Sequence, residues 1–125
     1  MKQILVIDDD DDFRSYLKEA LTRAGYEITE AANGAIGSKI FMQQSFDLVI
    51  TDIFMPEKEG LETILELKTK SPEIKFIAIS GGGLGGTDPN LVLGIAKEMG
   101  ADKILNKPIS IKNLLEAISE TLLAE

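Results

Sequence analysis

At 125 residues, 44% hydrophobic and 27% charged, the chain has the size for one folded domain with a single core and is too short for a catalytic domain plus a separate output domain. It contains no cysteine and no histidine, which excludes disulfides, thiolate metal sites, thiol nucleophiles, imidazole bases and Ser-His-Asp triads, so any catalysis has to run on carboxylates, lysine, hydroxyls or a bound metal. The 21 acidic residues against 13 basic ones, a net charge of -8, are repelled by phosphate backbones and anionic membrane surfaces, and direct nucleic-acid or membrane binding is not expected.

In chain order, short apolar runs alternate with amphipathic stretches five times. Residues 3 to 7 read as the first strand, and Phe13, Tyr16, Leu17, Ala20, Leu21 and Ala24 recur at helical spacing up to a stop at Gly25. A weaker strand, Glu27 to Ala31, precedes a helix from about Gly34 to Gln44 with Ile36, Ile40 and Phe41 on one face. The third strand, Asp47 to Thr51, leads through a loop with Pro56 and Gly60 into a helix that carries Leu61, Ile64 and Leu65 and stops before Pro72. Lys75 to Ile79 form the fourth strand, a glycine-rich loop follows, and a helix from about Pro89 to Met99 ends at Gly100. Lys103 to Asn106 form the last strand, and a final helix buries Ile111, Leu114, Leu115, Ile118 and Leu122. No apolar stretch is long enough to span a bilayer and the N-terminus runs straight into a strand instead of a signal peptide, so a cytoplasmic location is expected.

This alternation predicts an α/β fold: a single doubly wound domain with a parallel sheet and helices on both faces. Ligands of such sheets bind outside the carboxyl ends of the strands, where strand order reverses. The residues at those ends are Asp8 and Asp9, Asp52, Ser80 and Lys107. In the common order 2-1-3-4-5, strands one and three are neighbours about 5 Å apart, so three carboxylates converge while Ser80 and Lys107 approach from the other side. Two carboxylates about 4 Å apart repel by about 4 kcal/mol at an effective dielectric of 20, and Mg²⁺, a hard cation that prefers oxygen ligands and keeps waters for substrate oxygens, would relieve that repulsion. An aspartate is already ionised at neutral pH and can attack phosphorus without a general base, which suits a chain that has no histidine.

These residues match a family. The chain resembles, along its entire length, the receiver domain of bacterial two-component response regulators, through Ile-Leu-Val-Ile-Asp8-Asp9, Thr51-Asp52-Ile-Phe-Met-Pro56 with Gly60, Ile79-Ser80-Gly81, Gly100-Ala101 and Lys107-Pro108. The resemblance implies a flavodoxin-like five-stranded sheet of order 2-1-3-4-5. It makes Asp52 the phosphoacceptor, and assigns Mg²⁺ to Asp8, Asp9, Asp52 and the backbone carbonyl of Phe54. Ser80 and Lys107 contact the phosphoryl group, and the Lys107-Pro108 bond is cis. It further implies a sensor histidine kinase or histidine phosphotransfer protein as donor, and a domain that catalyses only its own phosphorylation and dephosphorylation. Residues 1 to 125 are then expected to be one receiver domain, with no output domain among them, signalling through contacts with a downstream protein as a stand-alone receiver, a phosphorelay intermediate or a piece of a larger regulator.

Rival readings attach to the same residues. Asp10, Asp11 and Asp12 are read as helix-start acids, which cap free amides and suit the helix dipole. Gly81 to Gly86 formally satisfy G-x-G-x-x-G, but the dinucleotide version follows the first strand and needs an acid after the next one. Asp8-Asp9-Asp10 contains the Asp-x-Asp of haloacid-dehalogenase-like phosphatases, whose nucleophile would be Asp8. A degenerate receiver that docks partners without phosphorylation is the remaining alternative, opposed by the full set of Asp8, Asp9, Asp52, Ser80 and Lys107. The chain departs from the family pattern at Ile104, where an aromatic usually stands, and at Ile109. Leu91 to Ala96 are apolar on more than one face, which suits either a deeply packed helix or a strip exposed to a partner or a second copy of the chain. Phe54, two residues past the acceptor, is expected to shield a phosphoaspartate from water, so that autodephosphorylation is slow. Phe54→Asn should shorten the lifetime, and a half-life of seconds that the substitution leaves unchanged would count against this.

Overall fold

The computed structural model describes residues 1–53, 60–80, 94, 97–98 and 100–123, with the backbone alone for residues 60, 61 and 80. Among the described residues five strands are present: β1 (Gln3–Ile7), β2 (Glu27–Ala31), β3 (Leu48–Asp52), β4 (Lys75–Ser80) and β5 (Lys103–Asn106). They make one sheet of order β2-β1-β3-β4-β5, and every neighbouring pair is parallel. The helices are α1 (Asp11–Arg23), α2 (Gly34–Phe41), α3 (Gly60–Lys70) and α4 (Ile111–Leu123). The helix expected from Pro89 to Met99 falls outside the described residues except for Gly94, Lys97 and Glu98, which are helical. The loop Gly81 to Gly86 also falls outside them. Among the described residues no helix is long and apolar enough to cross a membrane.

Side-chain alternation along each strand sends apolar residues to both faces, which is why the central strands read as continuous apolar runs. Leu5, Ile7, Val49, Phe76 and Ala78 pack with Ile64 and Leu67 of α3 and, at the margin, with Ile40 and Phe41 of α2. Ile4, Val6, Leu48, Ile50, Ile77 and Ile79 pack on the other side with Leu17 and Leu21 of α1 and Leu114, Ala117 and Ile118 of α4. The sheet is therefore sandwiched between two helix layers, and each carboxyl strand end opens at the same edge.

Three large apolar residues expected on buried helix faces are exposed. Ile36 is 44% exposed, and Tyr16 and Leu65 are also largely open to solvent. In α2 the face turned to the sheet carries Gly34, Gly37 and Ser38 instead. Close approach explains this choice: a Cβ on Gly37 would lie 2.5 Å from Ile7 Cδ1 and 2.9 Å from its Cγ1. Gly37→Ala is expected to cost about 1–3 kcal/mol by overpacking, and less in an Ile7→Val background, where Cδ1 is gone. Urea denaturation of both single variants and the double variant measures the coupling; strictly additive losses would refute the contact.

Two boundaries matter for the strand edge. Asp52 is the last residue of β3, not the first residue after it, and Ser80 closes β4. Gly25, the expected stop after α1, has φ +100, a left-handed conformation that glycine adopts without a Cβ penalty. Asp102 ties the start of β5 to β4, accepting from Phe76 N at 2.8 Å through Oδ2 while its own amide donates to Phe76 O at 2.8 Å. That clamp sets the register Ser80 opposite Asn106 and so delivers Lys107 to the edge.

Candidate functional site

The register Ile7 opposite Thr51 carries Asp8 and Asp52 one step further, to the shared edge of β1 and β3. Asp8 is 1% exposed and Asp52 4% exposed, whereas Asp9 faces solvent. Asp8, Asp9 and Asp52 each offer a carboxylate oxygen, and these oxygens lie within 4.8 Å of one another. Three hard oxygen donors so close together suit a small divalent cation such as Mg²⁺. The expected cluster is thus brought together.

Lys107 joins it from β5. Its Nζ donates to Asp8 Oδ2 at 3.0 Å and to Asp52 Oδ2 at 3.1 Å, and it lies 4.2 Å from the centroid of the Phe13 ring, within the range of a cation–π contact. Burial, the largest single influence on this ammonium, lowers its pKa, but the Asp52 charge, the hydrogen bond to Asp8, the Asp8 charge and the hydrogen bond to Asp52 together raise it above the ordinary lysine value. Lysine therefore supplies a counter-charge to the two buried carboxylates. The Lys107-Pro108 bond is cis, as the resemblance implies. Ile109 and Ile104 are both partly buried against the core clusters, and Ile104 pairs with Ala78 of β4.

The approach to α1 is held by local hydrogen bonds. Asp8 N donates to Ala31 O at 3.1 Å, and Asp8 Oδ1 accepts from Asp10 N at 2.9 Å. Asp10 is the N-cap of α1, its Oδ1 accepting from Asp12 N at 3.0 Å and Phe13 N at 3.1 Å, and Asp11 and Asp12 stand in the first turn. The capping role expected for these acids is borne out, since they occupy the positions where free amides and the positive helix end favour carboxylates. Sequence reasoning missed Arg14, whose Nη1 donates to the Asp8 carbonyl at 2.7 Å. Its one visible sign is the Asp11 and Arg14 spacing, an i,i+3 ion pair at 2.7 Å. Ser80 is placed by its backbone at the end of β4, its side chain being outside the described part, and Phe54, with the carbonyl expected to face the metal, lies outside the described residues.

Against known proteins, the family model of the response regulator receiver domain matches residues 4–119. The chain belongs to this family of two-component signalling domains, which makes it a phosphorylation-dependent signalling domain and not a conventional enzyme. Receiver domains bind Mg²⁺ at an acidic pocket and interact with histidine kinases or phosphotransfer proteins. The chain is 34% identical over 125 residues to the response regulator receiver protein CpdR of Brucella abortus, covering 99% of each. It is 34% identical over 124 residues to the transcriptional regulatory protein CpxR of Klebsiella pneumoniae, covering 98% of this chain but 50% of that protein. Among solved structures, the response regulator TrrA of Thermotoga maritima in complex with Mg(2+)-BeF is 36% identical, with a TM-score of 0.81 over 98% of this chain and 100% of that one. Family membership also decides against the dehalogenase-like alternative.

Proposed function

We propose that the chain is a phosphoaspartate switch: it takes a phosphoryl group from a sensor histidine kinase or a histidine phosphotransfer protein onto Asp52, and signals through contacts with a downstream protein. The observation that carries this reading is the buried Asp52 carboxylate at the end of β3, sharing its edge with Asp8 and Asp9 and bonded to Lys107 at 3.1 Å. An Asp52 oxygen forms the new bond to phosphorus while the phosphorus–nitrogen bond of the donor breaks and its electron pair returns to the imidazole. No base is needed, because the attacking carboxylate is already ionised. Asp8, Asp9, Asp52 and the Phe54 carbonyl would hold Mg²⁺, which when bound offsets charge on the carboxylates and the phosphoryl oxygens. Lys107 supplies an ammonium donor to one phosphoryl oxygen and Ser80 a hydroxyl to another. The Lys107 ammonium bonds both Asp8 and Asp52, so it already stands beside the carboxylate that receives the phosphoryl group.

This reading is tested by incubating the chain with acetyl phosphate and following intact mass. One phosphoryl increment is expected with Mg²⁺, mapping to the peptide that contains Asp52, and none with EDTA. An increment that forms equally well in EDTA, or that maps elsewhere, overturns it.

A further inference from the structure

We propose that Arg14 is a positioning residue for the divalent cation of Asp8, Asp9 and Asp52, acting through the carbonyl oxygen of Asp8; the inference rests on the Mg²⁺ reading above. Every polar atom of Asp8 is engaged. Its amide donates to Ala31, Oδ1 accepts from Asp10 N and Oδ2 from Lys107, and the carbonyl accepts from Arg14 Nη1 at 2.7 Å. That carbonyl belongs to the peptide joining Asp8 to Asp9, so fixing it fixes the backbone that carries two of the three carboxylate ligands.

Arg14 is itself held. Its Nη2 lies 2.7 Å from Asp11 Oδ1, and its buried Nε, which makes no hydrogen bond, lies 3.4 Å from Glu30 Oε1 at the end of β2. Lys18 Nζ approaches the other Glu30 oxygen at 3.6 Å. The guanidinium is planar and its donors are fixed relative to one another, so Asp11 and Glu30 beside Nη2 and Nε orient the plane and the Asp8 carbonyl accepts from the remaining nitrogen, Nη1. The side chain is 14% exposed, which sets it apart from the solvated arginine of an ordinary surface ion pair.

Two roles for Arg14 predict opposite signs. As a mere charge beside an acidic cluster, it repels a divalent cation, and its removal tightens Mg²⁺ binding. As a positioning residue, its removal loosens binding, because partners behind the ligands typically contribute about 10–100-fold in metal affinity. The experiment is isothermal titration of Mg²⁺ into the full chain for wild type, Arg14→Gln, Arg14→Lys and Asp9→Asn, with thermal midpoints in EDTA and in Mg²⁺. Arg14→Gln should bind about tenfold more weakly than wild type. Arg14→Lys, which keeps the charge but not the two-sided fork, should also be weaker. The Mg²⁺-dependent rise in midpoint should shrink in both, whereas a purely structural brace would lower both midpoints equally. Unchanged or tighter binding in Arg14→Gln, with Asp9→Asn weakened, overturns the role of Arg14 alone. Wild-type protein that binds no Mg²⁺, or Asp9→Asn that binds as wild type does, overturns the metal site and the role of Arg14 with it.

Discussion

Asp52→Asn is expected to take up no phosphoryl group from acetyl phosphate in Mg²⁺, under conditions where the wild type gains one. The amide nitrogen and oxygen of asparagine carry no ionised lone pair for attack on phosphorus, and with no histidine or cysteine in the chain no imidazole or thiolate can substitute. Intact mass on wild type and variant side by side measures the effect, with circular dichroism to establish that the variant is folded. A mass gain that persists in Asp52→Asn would falsify the assignment of the acceptor.

Lys107→Ala is expected to destabilise the metal-free protein by about 3–5 kcal/mol at neutral pH, the usual result of leaving buried charges without their partner. Both carboxylates it serves are nearly inaccessible to water, so solvent cannot take over the role of the ammonium. Mg²⁺ should restore more stability to the variant than it adds to the wild type, since a ligand that binds only the native state stabilises according to its affinity and here meets no resident ammonium. The pH dependence follows from the raised pKa of Lys107, in which burial is outweighed by the charges and hydrogen bonds of Asp52 and Asp8. A lysine whose folded pKa is raised contributes stability that is fully present below the ordinary value of about 10.4 and is lost as pH rises through the higher folded value. The wild-type and variant stability curves, taken from urea midpoints in EDTA, should therefore lie apart at neutral pH and converge in the alkaline range. Equal stabilities at neutral pH would show that the lysine bridge contributes nothing.

Much of this protein could be read from the order of its residues. Strand and helix periods, the doubly wound class and the identity of the strand-end residues follow from local patterns, because β1, β3, β4 and β5 run into polar residues, Asp8, Asp52, Ser80 and Asn106 with Lys107, where the apolar run meets the open edge. The capping acids Asp10 to Asp12 are equally local, since a helix start needs acceptors for its free amides. Helix packing was less legible. Ile36 looked like a core residue by spacing, yet Gly37 and Ser38 take the buried face of α2, Gly37 because Ile7 leaves no room for a Cβ and Ser38 because its hydroxyl donates to Glu66 of α3 at 2.7 Å.

The amino-acid sequence by itself therefore determined which chemical groups stand at the strand ends, and with them the family. Only the tertiary structure decided how those groups share charge. Lys107 is 99 residues from Asp8 and 55 from Asp52, and its position between their oxygens depends on the β4 and β5 register and the Asp102 clamp. The grip of Arg14 on the Asp8 carbonyl likewise depends on how α1 settles against β2. Contacts of this kind are set by packing across the sheet, and no short-range pattern encodes them.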